Sequence, residues 1–433
     1  MKIIKNIILV LIILFLILPA LQGKYHILKT IPLNGYFSTP KKPVFLKSNW
    51  YSGKFQDSLS AYYKDNTGFR SDFVRLYNQT DYSLFSIPHA GKIILGKEGY
   101  LFGDEYISSY LGVNFQGNRN CDEKVLLLKK LQDKLWIEKK ILLVVIFTPD
   151  KGTFYPEYIP ARFVKREKRM TNYEYYAEKC KTAGINMIDF NHYFLLAKDT
   201  SRYPLYPKTG IHWTTYGAVL AADSLLNYLH SKLTTPVPRM IIDGIETSKT
   251  ARDVDDDIAH TMNLLCEIPH PVYAYPKYHF AFDSTQKKPS ALFIGDSFYW
   301  NWYNPGIISN VFSNQEFWYY CQDVYPETKT KQTSVSDVDV EDAINRQQVI
   351  ILMQVNAGYG NIGYGFTDLA LSALDPANSA LLKMEHSIRI SPDWMKTIKE
   401  KAEKEHRGVD EQIRLDALYM LDQDRIKKQS KSN

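Results

Sequence analysis

The chain of 433 residues has few cysteines, no concentration of charge of one sign, no internal repeats and only one long hydrophobic run. Its four cysteines include no Cys-x-x-Cys pair, so the usual spacing of a zinc site is absent. Lysine and arginine total 53 against 47 aspartates and glutamates, and the net charge of +6 is spread along the chain. We therefore expect no metal site, no cofactor and no nucleic-acid partner.

The cysteines leave two interpretations open. In an oxidising compartment four cysteines allow three disulfide pairings, and the sequence does not select among them. Four buried free thiols are the alternative. The residues concerned are Cys121, Cys180, Cys266 and Cys321.

The single long hydrophobic run lies at the N-terminus. Lys2 and Lys5 precede the apolar residues Ile7–Leu21, the order found in segments that direct a chain to the membrane. Because Ala20–Gly23 matches a cleavage site poorly, we favour an uncleaved anchor over residues 1–22 above a removed signal peptide. The lysines before the run predict that the rest of the chain is extracytoplasmic. We expect it in the periplasm or cell envelope, anchored in the inner membrane by one helix.

Beyond the anchor, helix-like and strand-like segments alternate. Apolar strands are predicted at residues 141–148, 185–189, 291–294 and 349–354, and helices at 122–138, 172–182 and 215–230. This alternation predicts an α/β domain, a central parallel sheet flanked by helices, over residues 91–370. An extension (23–90) precedes this domain, and a C-terminal helical segment (371–433) follows it.

The strand predicted at residues 291–294 leads directly into Gly295-Asp296-Ser297-Phe298. Ligands of α/β proteins lie outside the carboxyl ends of the strands, so a serine on this turn is well placed to act as a nucleophile. A serine nucleophile needs a base, and His212 stands in a glycine-containing loop just before a predicted helix. We predict Ser297 and His212 as the catalytic pair. We expect Asp296 to hold the turn.

The Gly295–Phe298 turn, the loop with His212 and three further segments, in their order along the chain, resemble the SGNH hydrolases of the alginate O-acetyltransferase type. The resemblance spans roughly residues 50 to 370 and is specific through the joint order of the motifs rather than through any one of them. As in that family, the histidine precedes the serine. The matching segments are Asn66–Arg70, Gly96–Phe102, Thr148–Lys151, His212–Ala218 and Gly295–Phe298.

The resemblance implies a ping-pong acyl transfer on an SGNH-hydrolase-like fold. Ser297 would accept an acetyl group, with His212 as base, and pass it to a hydroxyl of a cell-surface or exported polysaccharide. The acetyl donor would be delivered by a polytopic membrane O-acyltransferase. The developing oxyanion would be met by the backbone N–H of Ser297 or Phe298, or by Asn356. Three further residues could line the groove, although packing is the expected role of each: Lys151, Tyr299 and Trp300.

The chain departs from the family at one important position. The family carries an aspartate two residues before the histidine, where this chain has Gly210. Three alternatives follow: a dyad with a backbone carbonyl orienting His212, a substitute acid, or a catalytically impaired glycan-binding envelope protein. A secreted acetyl esterase of the same fold, with water as acceptor, is a further alternative. The candidate acids are Asp189, Asp255, Asp256 and Asp257.

Overall fold

The computed structural model describes residues 2–35, 40–164, 167–325 and 333–431. The described part of the chain contains helices and strands, whose bounds follow. The helices are α1 (Lys2–Tyr25), α2 (Lys47–Tyr51), α3 (Lys54–Asp65), α4 (Arg70–Phe85), α5 (Asp104–Tyr110), α6 (Asn118–Lys134), α7 (Lys151–Phe154), α8 (Ala161–Val164), α9 (Asn172–Thr182), α10 (Phe190–Ala197), α11 (Thr215–Lys232), α12 (Asp257–Met262), α13 (Trp300–Tyr303), α14 (Ile307–Val311), α15 (Val340–Asn345), α16 (Phe366–Ala373), α17 (Pro376–Ile390), α18 (Pro392–Lys404) and α19 (Val409–Lys431). The strands are β1 (Ile93–Leu95), β2 (Leu101–Gly103), β3 (Leu142–Thr148), β4 (Met187–Asp189), β5 (Arg239–Ser248), β6 (Tyr273–Ala281), β7 (Ser290–Gly295), β8 (Asn314–Tyr319), β9 (Asp323–Tyr325), β10 (Thr333–Ser334) and β11 (Val349–Val355).

The chain divides into two compact units. The first comprises Met1–Gly103, Lys208–Ile211 and Asp256–His270, and the second comprises the remaining segments, Asp104–Pro207, His212–Asp255 and Pro271–Asn433. The predicted domain boundaries at residues 22, 90 and 370 stay predictions.

The first unit contains helices α1–α4, the hairpin β1–β2 and α12. Its small apolar core joins the hairpin to α12 through Leu101, Ile258 and Met262. Polar contacts join the end of α12 to helix α4 and to Asn34. The carboxamide oxygen of Asn263 accepts from the backbone N–H of Asn34 at 2.7 Å and from the guanidinium of Arg75 at 3.1 Å.

Helix α1 carries the N-terminal hydrophobic run. Its 24 residues give a length of about 36 Å, enough to cross a hydrocarbon core of about 30 Å. Among the described residues, this is the one helix long and apolar enough to span a membrane, with a mean hydropathy of 2.8 over its most apolar part. The helix is longer than the apolar run Ile7–Leu21, which alone falls short of a full span.

The second unit is built around a seven-stranded sheet in the order β10-β9-β8-β7-β11-β3-β4. The five strands from β8 to β4 are parallel to their neighbours, whereas β8–β9 and β9–β10 pair antiparallel. The predicted central sheet flanked by helices is confirmed, but the sheet is mixed rather than wholly parallel. The difference arises because β9 and β10 follow β8 through short connections, which allow only antiparallel pairing.

The central strands are buried on both faces. Alternate residues of β3, β7 and β11 pack with helices α6, α9 and α16 in one core, and the intervening residues of these strands are also buried. This explains why the strands are continuous apolar runs rather than alternating ones. All four cysteines are free thiols in the structure; Cys121 and Cys180 lie in this core, while Cys266 is exposed.

The parallel register brings several strand ends to one edge of the sheet. Gly295 at the end of β7 pairs with Met353 of β11 and Tyr319 of β8, and Val355 of β11 pairs with Thr148 of β3. The residues that directly follow these strands therefore meet at the carboxyl edge, where parallel sheets bind ligands.

Candidate active site

Ser297 lies on a tight turn at the carboxyl end of β7. The turn begins at Asp296, whose carboxylate accepts the backbone N–H of Phe298 at 3.1 Å and caps the short 3-10 helix Ser297–Tyr299. Gly295, just before it, approaches β11 so closely that a Cβ there would lie 2.5 Å from the Met353 carbonyl oxygen. Close packing behind the turn leaves Ser297 half-buried at the sheet edge.

Asp296 is fully buried and holds the turn against its neighbours. Besides Phe298, its carboxylate accepts the backbone N–H of Val355 at 2.8 Å and the hydroxyl of Tyr364 at 3.0 Å. Burial raises the pKa of Asp296, and these hydrogen bonds and the nearby His212 oppose the rise. The contacts are those expected of a residue that fixes the turn.

His212 is positioned by the residues that follow it. Thr214 caps helix α11, accepting the backbone N–H of Gly217 at 3.0 Å. Trp213 is fully buried, with its ring centroid 5.4 Å from that of Phe298. A capped helix start and a buried indole therefore hold the histidine at a defined place.

The structure brings the two predicted catalytic residues together. Nε2 of His212 lies 2.8 Å from Oγ of Ser297, across 85 residues of sequence. The imidazole also packs at a steep angle against the ring of Phe298, with 4.9 Å between centroids. A serine hydroxyl within hydrogen-bond distance of a histidine ring nitrogen is the geometry of a nucleophile and its base.

The four candidate acids divide into two groups. Asp189 caps helix α10 and accepts the Tyr173 hydroxyl at about 3.0 Å, and Asp256 pairs with His260 at 2.9 Å. The carboxylate of Asp189 thus contacts α10 and Tyr173, and that of Asp256 contacts α12.

The other two acids bind the backbone on either side of His212. Within the second unit, the fully buried Asp255 accepts the N–H of Thr215 at 2.9 Å. Within the first unit, Asp257 accepts the N–H of Ile211 at 2.7 Å. Asp255 and Asp257 are thus the candidate acids that contact the chain segment carrying His212, where Gly210 supplies no carboxylate.

The oxyanion donors considered from sequence differ in their contacts. The N–H of Phe298 is engaged by Asp296, which makes it the weaker choice. Asn356 lies buried at the end of β11, and its amide nitrogen donates to Thr153 Oγ1 at 3.2 Å. Among the described residues, no group of three or more histidine, cysteine, aspartate or glutamate side chains is arranged to hold a metal ion.

The residues considered for a groove lining are mostly packed inside. Lys151 and Tyr299 are almost wholly buried, and the Tyr299 ring stacks on Phe317 with centroids 3.9 Å apart. Trp300 is half-buried and meets Tyr325 edge to face at 5.0 Å. Packing accounts for Tyr299 in particular.

Sequence reasoning assigned no role to Asp150. This residue follows β3 as Ser297 follows β7, and it caps α7 by accepting the N–H of Thr153 at 2.7 Å. Complete burial raises its pKa to about 7. An acid directly after a continuous apolar strand was the signal that could have identified it.

The chain resembles known proteins in the region that carries this geometry. No curated protein matches the chain. The family model described as "SGNH hydrolase-like domain, acetyltransferase AlgX" matches residues 93–303, a range that contains both His212 and Ser297.

Several solved structures resemble the chain at low identity. The O-acetyltransferase domain of Pseudomonas putida AlgJ is 20% identical, with 67% of this chain and 98% of that domain covered and a TM-score of 0.42. Pseudomonas aeruginosa AlgX is 15% identical (64% and 67% covered, TM-score 0.41), and Bacillus cereus PatB1 with a sulfonyl adduct is 12% identical (63% and 99% covered, TM-score 0.41). The family match agrees with the order of the motifs: residues 93–303 are similar to the SGNH hydrolase-like domain of AlgX-type acetyltransferases.

Proposed function

We propose that the chain is an exported O-acetyltransferase that carries an acetyl group on Ser297 and transfers it to hydroxyls of a cell-surface or exported polysaccharide. The observation that supports this most directly is the 2.8 Å distance between Ser297 Oγ and His212 Nε2. The AlgX-type domain over residues 93–303 supports acetyl chemistry at this pair.

In the first half-reaction, Nε2 of His212 takes the proton of Ser297 Oγ while Oγ attacks the acetyl carbonyl of the donor. The new Oγ–C bond forms, and the bond between the carbonyl carbon and the donor's leaving oxygen breaks. His212 gives its proton to that oxygen. The product is an acetyl ester on Ser297.

In the second half-reaction, a sugar hydroxyl gives its proton to His212 and attacks the acetyl carbon. The bond between that carbon and Ser297 Oγ breaks, and Oγ recovers the proton from His212. Asn356 is the favoured side chain for stabilising the oxyanion in both steps, because it is buried at the adjacent strand end and its amide has a second N–H besides the one donated to Thr153. Asp255 and Asp257 act as positioning residues for His212 through Thr215 and Ile211.

Helix α1 and the match to the AlgX-type domain support a proposal for the cellular setting. Helix α1 would fix the chain to the inner membrane with its acetyltransferase domain on the extracytoplasmic side. A polytopic membrane O-acyltransferase would supply the acetyl group, since a cytoplasmic donor has to be brought across the bilayer.

The experiment compares the full-length protein in detergent with Ser297→Ala and His212→Ala, using 4-nitrophenyl acetate as donor. We expect both variants to lose at least about a thousandfold in turnover, and the wild type to carry one acetyl group on Ser297 by mass spectrometry. Matched controls are Ser309→Ala and His279→Ala, two exposed positions that should keep wild-type turnover.

Equal turnover in the wild type and both site variants would refute the proposal and favour a glycan-binding protein. Release of acetate to water with no transfer to any added saccharide would identify a secreted esterase instead. Transfer to a saccharide hydroxyl supports the proposed reaction.

A further inference from the structure

Aromatic side chains gather where β7 and β8 end. Tyr319 and Tyr320 follow one another at the end of β8, with ring centroids 4.4 Å apart, and Tyr320 meets Tyr364 at 5.1 Å and nearly at right angles. We call these three residues the aromatic wall. Tyr320 is its most open member, with 39% of its surface exposed.

The wall is attached to the turn that carries Ser297. The backbone N–H of Tyr320 donates to the Gly295 carbonyl at 2.8 Å, and the hydroxyl of Tyr364 donates to the Asp296 carboxylate at 3.0 Å. Gly295 and Asp296 are the two residues directly before Ser297. The wall is therefore hydrogen-bonded to the turn that carries the nucleophile.

Two of the three wall residues have a strained backbone. Tyr320 has a φ of 51° and Tyr364 a φ of 53°, both in the left-handed region that favours glycine. Cys321, the next residue along, has a φ of 54°. Strained residues that carry large side chains persist where the side chain is needed, and they concentrate at binding sites. Tyr320 and Cys321 are the central residues of the tight turn between β8 and β9, in which the Gln322 N–H donates to the Tyr319 carbonyl at 3.0 Å. Such a turn usually carries glycine or asparagine, whereas this one carries a tyrosine.

We propose that the aromatic wall is the acceptor subsite, on which a sugar ring of the polysaccharide stacks next to the acetylated Ser297. This inference rests on the proposed function and identifies where its acceptor binds. The C–H face of a pyranose is apolar and its rim carries hydroxyls, which matches the apolar face and polar tip of tyrosine. Stacking on Tyr320 presents a ring hydroxyl to the acetyl carbon, and His212 Nε2 takes the hydroxyl proton as Ser297 Oγ leaves.

The test separates acylation of the enzyme from use of the acceptor. The full-length protein in detergent receives 4-nitrophenyl acetate with cello-, chito- or mannuronate hexasaccharides. In Tyr320→Gly we expect an unchanged burst of nitrophenol, within about twofold, and a KM for the acceptor raised at least about fivefold. Glycine relieves the left-handed strain, which offsets part of the packing lost against Tyr319 and Tyr364, and the melting temperature of the variant shows that the fold is kept.

Two matched variants complete the comparison. Tyr320→Phe keeps the ring and should keep the acceptor KM within about twofold, since stacking rather than the hydroxyl supplies the contact. Tyr419→Ala removes an exposed tyrosine from α19 and should change neither readout.

The outcomes distinguish the subsite from the reaction itself. An acceptor KM in Tyr320→Gly equal to that of the wild type overturns the proposal. A wild type that shows the burst but transfers to none of the three saccharides also overturns it, while leaving Ser297 and His212 as a hydrolytic pair. A wild type without any burst contradicts the proposed function, and the subsite falls with it.

Discussion

Asp150 is a residue whose environment has a measurable consequence for stability. Its carboxyl group is completely buried, and this burial raises its pKa to about 7. The unfolded chain, with an ordinary aspartate pKa of 3.8, releases this proton at lower pH than the folded chain. The folded state therefore loses stability as the pH rises from about 4 to about 7, by at most about 4 kcal/mol.

Asp150→Asn removes this titration and keeps an oxygen for the N–H of Thr153. We expect the free energy of unfolding of the wild type, relative to Asp150→Asn, to fall between pH 4 and pH 8 and to be level above that. Urea unfolding at a series of pH values measures the difference. Asp199→Asn, at an exposed position, is the control. Parallel curves for wild type and Asp150→Asn would contradict the prediction.

A second prediction at the residue scale concerns the missing family aspartate. Asp255 and Asp257 hydrogen-bond Thr215 and Ile211, on either side of His212, whereas Asp189 caps α10. Triad acids contribute up to about 10⁴ in kcat. We expect Asp255→Asn or Asp257→Asn to lower kcat for ester hydrolysis at least about tenfold more than Asp189→Asn does.

Steady-state kinetics with 4-nitrophenyl acetate provide the measurement. Melting temperatures of the same variants distinguish a loss of kcat from a loss of folded protein. If Asp255→Asn and Asp257→Asn both retain wild-type kcat, Ser297 and His212 act as a dyad, with a backbone carbonyl orienting the imidazole of His212.

At the scale of elements, the starts of α11 and α9 can be compared because each is capped by a threonine side chain. Thr214 caps α11 directly after His212, and Thr171 caps α9 with a complete capping box remote from Ser297 in sequence. Each cap replaced by alanine should cost about 1 kcal/mol of unfolding free energy. We expect Thr214→Ala also to lower kcat, because the freed helix start loosens His212, and Thr171→Ala to lower stability alone. Equal kcat in the two variants would argue against positioning of His212 by the cap.

The packing of β7 on β11 gives a further prediction for an element. A Cβ at Gly295 would lie 2.5 Å from the Met353 carbonyl oxygen, so Gly295→Ala forces the two strands apart. We expect a loss of about 1–3 kcal/mol in unfolding free energy and a displaced Ser297 with lower turnover. Gly244→Ala in β5 is the matched control, because nothing lies within 4 Å of its Cβ position. A melting temperature of Gly295→Ala equal to that of the wild type would show that β7 and β11 can separate without loss of stability.

At the scale of the whole molecule, α1 is the candidate membrane anchor. We expect the protein to stay in the membrane fraction after alkaline carbonate extraction and to keep its N-terminal residues. Replacing Ile8, Leu11 and Leu14 of α1 together with arginine should release it, since three charges near the bilayer centre cost about 9 kcal/mol, more than the remaining apolar residues contribute. Ile31→Arg, an exposed apolar position beyond the helix, should not. A soluble protein that begins after Gly23 would identify a cleaved signal peptide instead.

Much of the fold could be predicted because its strands are buried on both faces. Continuous apolar runs predicted strands at 291–294 and 349–354, and the structure has them at Ser290–Gly295 and Val349–Val355. The predicted helix at 172–182 coincides with α9, whose capping box marks its start. The antiparallel strands β9 and β10 were missed because they are three and two residues long, respectively, and have no continuous apolar pattern.

The sequence by itself determined the candidate catalytic residues and their neighbourhood along the chain: a strand that ends just before Ser297, a loop with His212 before a helix, and one apolar run at the N-terminus. Only the tertiary structure decided that His212 Nε2 and Ser297 Oγ lie 2.8 Å apart, because this distance depends on strand order and on packing across 85 residues. The same is true of the contacts of Asp255, Asp296 and Tyr364. Local patterns specify elements, whereas the distances within a site arise where separate elements meet.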